Sequence, residues 1–165
     1  MDYTKDKIVR LADAIRPQGD SDDEQQIKYQ HHRFANSTLN YYIEKCDYLA
    51  AYTVAFSLLE DRLRAMAIVK QRDVLGHRNF EGFATTDLGR VVAHIYPSSS
   101  EENIFVENLK TVLYNRNKLL HEAMWRINAI QVKDIDDVMG LRDIVDSQLR
   151  KMKREIESNK KGLTE

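Results

Sequence analysis

Residues 42–66, YIEKCDYLAAYTVAFSLLEDRLRAM, decide the fold of this chain. Side chains suited to a core recur every three or four positions, the spacing of one face of an α-helix. This seam consists of Tyr42, Cys46, Leu49, Thr53, Phe56, Leu59, Leu63 and Met66. Neither proline nor glycine occurs between Gly19 and Gly76, so no breaker residue interrupts the pattern. The stretch therefore predicts a long buried helix, and we expect Cys46 to be a buried, inert thiol.

The helix predicted around this stretch is longer than a globular domain ordinarily contains. We expect a break at residues 35–40, ANSTLN, because Asn36, Ser37 and Thr38 side chains compete for backbone hydrogen bonds. His31 and His32 point about 100° apart on a helix, which favours a solvated pair over a shared metal ion.

The rest of the chain has few breakers and many helix-forming residues, which predicts an all-α protein. We expect a single domain over residues 1–165, an antiparallel bundle of about five helices. The predicted helices cover residues 3–16, 21–74 (one long helix or a pair), 86–96, 100–128 and 133–157. The last one carries a heptad-like apolar stripe, which must cover either the bundle core or a second copy of the chain.

Composition places the chain among ordinary globular proteins and gives no global sign of a nucleic-acid ligand. Hydrophobic residues make up 42%, charged residues 31%, and the net charge is −1, so any contact with nucleic acid would rest on a local patch. The single cysteine excludes an intramolecular disulfide and suits a reducing compartment. With no predicted signal peptide and no apolar stretch of bilayer length, we expect a cytoplasmic protein with no membrane association.

Polar residues interrupt the seam of the fourth predicted helix, in residues 113–126, LYNRNKLLHEAMWR. Arg116 falls in the seam between Leu113 and Leu120, and Asn117 and His121 lie one turn apart on the neighbouring stripe. An arginine binds phosphate oxygens and stabilises a developing oxyanion, while a histidine transfers protons. The three residue types suit metal-independent cleavage of RNA; a snorkelling arginine with a surface histidine is the alternative.

Arg116 and His121, with Asn117 after the arginine, resemble the R-x4-6-H motif of the HEPN superfamily. Two further stretches add to the likeness, which covers residues 42–127. Residues 56–66, FSLLEDRLRAM, are similar to the long helix of that family, with an acidic residue, Glu60, in the seam. Residues 85–92, TTDLGRVV, are similar to a stretch that often precedes its motif helix.

The resemblance implies a homodimer in which the motif helices face each other and form one composite ribonuclease cleft without a metal or other cofactor. In that cleft His121 would be the general acid or base, Arg116 the phosphate clamp, and Asn117 an orienting amide. Glu60 would pair with Arg116. Family members act as toxins or antiviral effectors, some with a nucleotidyltransferase-like antitoxin. Others have lost catalysis and bind RNA, nucleotide or a protein partner, which is the alternative function here.

Further candidate RNA contacts are basic side chains on the last two predicted helices. They are Lys118, Arg126, Arg150, Lys151 and Arg154. A solvated charged face is the other interpretation of the last three, because acidic residues offset that run.

Overall fold

The computed structural model describes residues 22–75, 87–97, 104–126 and 128–162. These ranges form five α-helices and contain no strand, which confirms the all-α prediction for this part of the chain. The helices are α1 (Asp22–Glu44), α2 (Tyr48–Leu75), α3 (Leu88–Ile95), α4 (Ile104–Ala123) and α5 (Val132–Gly162). The helix predicted at 3–16 lies outside the described residues. The last helix extends past the predicted end at residue 157.

Helix α2 is the centre of the fold, and α1, α3 and α5 pack against it. Its buried side chains include Tyr52, Phe56, Leu59 and Leu63, each no more than 2% exposed. The predicted stripe of α5 covers this core rather than a second copy of the chain. Val138, Leu141, Val145 and Leu149 of that stripe are buried, with Met152 and Ile156 half-buried beside them.

Contacts between helices fix their directions. An ion pair joins Arg62 of α2 to Asp146 of α5, and Asp134 of α5 acts electrostatically on Tyr52 of α2. Both pairs advance along the two helices in the same sense, so α2 and α5 run parallel, and the prediction of an antiparallel bundle is wrong for this pair. Helices α1 and α2 are antiparallel. A three-residue connection at residues 45–47 joins them, and His32 of α1 contacts Asp61 of α2.

Helix α1 continues through residues 35–40, so the predicted break at that place is wrong. The Ser37 hydroxyl donates to the Arg33 carbonyl one turn earlier (2.9 Å), a bond that forms within a helix. Ala35 and Leu39 are buried against the core, and their packing favours the helix across the polar residues. Tertiary packing therefore outweighs the local preference of these side chains.

The break lies instead at Cys46, whose backbone adopts a left-handed conformation with φ of 56°. The Cys46 N–H donates to the Ile43 carbonyl (3.0 Å), and the Asp47 N–H donates to the Tyr42 carbonyl (2.9 Å). This is the Schellman arrangement that ends helices, in which glycine ordinarily takes the left-handed position. Asp47 then begins α2 by accepting the Ala50 N–H (3.1 Å). The expectation of a buried thiol is thus wrong, since Cys46 is exposed.

Replacing Cys46 with glycine is expected to stabilise the protein by about 1 kcal/mol, because glycine adopts the left-handed conformation without the steric cost of a Cβ. Thermal unfolding should then shift upward by a few degrees. Cys46→Ala is the matched control, since it removes the thiol but keeps the Cβ. An equal gain in both variants would mean that the thiol, and not backbone conformation, carries the effect.

A charged network joins α1, α2 and α5. Arg62 donates to Asp146 (3.2 Å), lies 3.0 Å from an Asp61 carboxylate oxygen, and contacts the His32 imidazole. His32 also reaches Asp61 (3.3 Å), and exposed Arg150 pairs with Asp146 (2.6 Å). His32 is therefore half-buried in an ion-pair network, and the predicted solvated pair of histidines is wrong for this residue.

Candidate functional site

Arg116 projects from the half-buried face of α4 toward the central helix. Its guanidinium carbon lies 4.5 Å from the centroid of the Phe56 ring, a cation–π geometry. Leu113 and Leu120, on the same face of α4, pack against the core on either side of it. Helix α4 thus has a cation within its apolar seam, and an aromatic ring of α2 supports it.

Arg116 differs from the other half-buried arginines in having no carboxylate partner. Among the described side chains, Arg62, Arg64 and Arg142 each have a carboxylate oxygen within 3.2 Å. Arg116 forms no ion pair with a described residue, and its buried Nε has no hydrogen-bond acceptor. Because a guanidinium carries its charge at all physiological pH values, the charge of Arg116 remains available to an anion.

Two aromatic rings of α2 lie close to the Arg116 guanidinium. Tyr52 and Phe56 are buried, with ring centroids 6.3 Å apart. Burial raises the pKa of the Tyr52 hydroxyl, the Asp134 carboxylate raises it further, and the charge of Arg116 opposes both. The pKa of Tyr52 is raised overall, so the hydroxyl stays neutral below its ordinary value of about 10.

Asn117 and His121 are exposed and lie one helical turn apart, as the spacing predicts. Within the described ranges, no hydrogen bond joins either side chain to Arg116 or to the other. Positions 116 and 121 leave a helix about 140° apart, and Arg116 turns inward to Phe56 while His121 faces solvent. A single chain therefore presents the two candidate catalytic groups on different faces of α4.

Glu60 does not pair with Arg116, so that part of the expected site is wrong. Its carboxylate accepts hydrogen bonds from the Arg64 Nε (3.0 Å) and from a terminal nitrogen of Arg64 (2.7 Å). Arg64 lies one turn after Glu60 on the same helix, so it is closer to Glu60 than the side chains of α4 are. The α2 residue that contacts Arg116 is Phe56, one turn before Glu60. The seam predicts Phe56 as a core residue, and its position one turn before Glu60 is the signal that could have connected it with Arg116.

The candidate RNA contacts fall into two separate groups. Lys118 is exposed on α4, 4.0 Å from Glu122, and Arg126 is exposed just beyond that helix. The three candidates on α5 are exposed, and each has a partner. Arg150 pairs with Asp146 (2.6 Å), Lys151 lies 3.9 Å from Glu155, and Arg154 donates to a backbone carbonyl.

The α5 group is remote from Arg116. Asp134 of α5 and Arg116 of α4 both lie close enough to Tyr52 to affect its pKa. Arg150 comes sixteen residues after Asp134 on α5. At a rise of about 1.5 Å per residue, this places Arg150 roughly 24 Å further along the helix. Of the five candidates, Lys118 and Arg126 therefore lie on or just after the motif helix, and the structure does not bring the three α5 residues to it.

Two further features bear on the kind of site. Across the described residues, no group of three or more histidine, cysteine, aspartate or glutamate side chains is placed to hold a metal ion. None of the helices described combines the length and apolar character required to cross a bilayer. Comparison of the chain with protein-family models, with curated proteins and with solved structures found no match.

Proposed function

We propose that this chain is a HEPN-like endoribonuclease that cleaves RNA without a metal, at a composite site formed by two copies of the chain. The observation that carries the proposal is the charge of Arg116, which is half-buried over Phe56 and has no carboxylate partner among the described residues. A guanidinium in this state is positioned and partly desolvated before substrate arrives. It therefore suits the stabilisation of the extra negative charge on a phosphorane.

The proposed reaction is attack of a ribose 2′-hydroxyl on its own phosphodiester. The new bond joins the 2′-oxygen to phosphorus, and the bond from phosphorus to the 5′-oxygen of the next nucleotide breaks. His121 takes the proton from the 2′-hydroxyl or supplies one to the leaving oxygen, and a second His121 can perform the other transfer. Asn117, one turn away on the same exposed stripe, orients the imidazole or a phosphate oxygen.

The second copy of the chain has a specific task in this proposal. Arg116 lies against α2 and His121 faces solvent, so one chain alone presents them on different faces. Packing two α4 helices against each other brings the His121 of each copy toward the Arg116 of the other. A composite cleft would give Arg116, Asn117 and His121, whose side chains form no ion pair or hydrogen bond with a described residue, a role between the two copies.

The test is incubation of the purified protein with a mixed RNA pool in EDTA, alongside Arg116→Ala. The parent is expected to cleave and to leave 2′,3′-cyclic phosphate and 5′-hydroxyl ends. Loss of the arginine should reduce the rate about 10²- to 10³-fold, the usual effect of removing one oxyanion donor. Arg90→Ala, an exposed arginine on α3, is the matched control and should cleave like the parent. Equal cleavage by Arg116→Ala and the parent would refute the proposed role.

The second candidate function is a catalytically silent HEPN-like module that binds RNA, nucleotide or a protein partner. The same free guanidinium favours it, because an unpaired arginine binds a phosphate whether or not chemistry follows. Absence of cleavage, together with RNA binding that Arg116→Ala weakens, would select this alternative. A role as toxin or antiviral effector, with a nucleotidyltransferase-like antitoxin as partner, depends on the catalytic version of the proposal.

A further inference from the structure

Two aromatic and two basic side chains form a stripe along the solvent-facing side of α4 and the turn that follows it. Tyr114, Lys118, His121 and Trp125 follow one another at spacings of four, three and four. At about 100° per residue, they fall within roughly 60° of the helix circumference. Trp125 lies two residues beyond the last helical residue, and its N–H still donates to the Glu122 carbonyl (3.0 Å). The stripe is therefore aromatic at both ends and basic or titratable in the middle.

Both rings of the stripe are almost fully open to solvent. Tyr114 is 84% exposed and Trp125 is 78% exposed. Tryptophan is highly buried on average in folded proteins, so these two open rings on one stripe are available to contact a ligand or a partner. Within the described ranges, neither ring stacks on another ring or on a cation. They are eleven positions apart in sequence, which is about 16 Å at the rise of an α-helix.

The middle of the stripe indicates what the rings contact. Lys118 has 70% of its side chain exposed and lies 4.0 Å from Glu122, too far for a hydrogen bond, so its ammonium is available to phosphate. The exposed His121 follows it by one turn. An apolar protein partner would bury these polar groups without compensation, whereas a nucleic-acid backbone provides anionic partners for them.

We propose that Tyr114 and Trp125 are base-stacking residues for single-stranded RNA and lie on either side of His121. The inference rests on the proposed function for the identity of the ligand, and it adds the groups that place the strand. Aromatic side chains interleaved with cations bind single strands because unpaired bases have open faces for stacking. In a duplex those faces are covered by neighbouring bases, so the stripe selects unpaired segments. Stacking at both ends sets which phosphate lies beside His121.

The experiment uses the fluorescence of Trp125, the one tryptophan of the chain. The probe is a single-stranded 2′-O-methyl oligouridine, which has no nucleophilic hydroxyl and cannot be cleaved by the proposed reaction. We expect saturable quenching of Trp125 by this strand, and little quenching when the same strand is paired with its complement. A labelled version of the oligonucleotide gives Kd by anisotropy for variants that have no tryptophan.

Trp125→Ala and Tyr114→Ala are each expected to raise Kd about ten- to a hundredfold, the usual effect of losing one base–aromatic stack. Trp125→Phe keeps a ring and should remain within a few-fold of the parent. Met124→Ala is the matched control, because Met124 is 76% exposed, adjacent in sequence, and off the stripe. It should bind like the parent.

Unchanged Trp125 fluorescence at saturating single strand, or no binding at all, would overturn the proposal. So would a Trp125→Ala variant that changes the oligomeric state in light scattering but keeps its Kd, since the ring would then contact a second copy. Because the probe cannot be cleaved, Trp125-dependent binding without cleavage of ordinary RNA would refute catalysis alone. Cleavage that persists in Tyr114→Ala and Trp125→Ala, with Kd unchanged, would refute stacking alone.

Discussion

Replacement of His121 with alanine is expected to lower the RNA cleavage rate about 10²- to 10⁴-fold, the range of effects attributed to a positioned proton-transfer group. Stability should hardly change, because the His121 side chain is exposed and forms no hydrogen bond with a described residue. The measurement is the single-turnover cleavage rate of the parent and the variant on one RNA, with circular dichroism to verify the helical content.

Two further experiments distinguish the loss of proton transfer from the loss of side-chain size and hydrogen bonding. His121→Gln keeps much of the size and hydrogen-bonding capacity but cannot exchange a proton in the same way, so it should be as inactive as the alanine variant. Imidazole added to His121→Ala should restore part of the rate, since it can enter an exposed position as a free base. An active glutamine variant would show that His121 binds or orients RNA and does not transfer its proton.

Replacement of Arg62 with methionine is expected to cost about 1–3 kcal/mol of the free energy of unfolding at pH 7, because Asp61 then keeps only the His32 contact and Asp146 only the exposed Arg150. Asp61 and Asp146 have side chains only 26% and 14% exposed, so solvent screens them weakly. Urea unfolding measures the loss. Arg142→Met is the matched control: the Arg142 side chain is about as buried as that of Arg62, but the carboxylate that it contacts, Asp143, is 67% exposed. Its loss should cost less than about 1 kcal/mol.

The cost of Arg62→Met should also depend on pH. Burial raises the pKa of the Asp61 carboxyl, but the His32 hydrogen bond and the charge of Arg62 together lower it below its ordinary value. A depressed carboxyl pKa stabilises the fold above the unfolded value of about 4, and this contribution is lost as pH falls through the folded-state value. The difference between parent and variant should therefore be largest near pH 7 and shrink below about pH 4. An equal difference at both pH values would assign the cost of Arg62→Met to lost packing.

The helical class and the positions of the main core residues follow from periodicity. Leu59 and Leu63 of α2, and Val138 and Val145 of α5, fall on predicted seams and are buried. A helix face in the centre of a fold must be apolar along its length, so the sequence contains this information directly. Arg116 also lies where its seam position predicts, half-buried between leucines.

Periodicity failed where backbone conformation or a partner on another helix decides the outcome. The break at Cys46 depends on a left-handed residue, and cysteine gives no local sign of that conformation. Met124 continues the α4 seam in sequence but is 76% exposed, because the helix has already ended at Ala123. Glu60 and Phe56 are one turn apart, and spacing alone cannot decide which of them meets Arg116.

Only Val106 and Leu109 of α4 are buried among the residues described, and the rest of the helix is half-buried or open. Most of the buried side chains described lie on α2 and α5, and α4 adds its inner face to this core while its outer face stays open. Most substitutions on the outer face of α4 should leave the fold intact, so the chain has wide freedom to diversify that face. Natural variation there would record selection by whatever it contacts, with little constraint from folding.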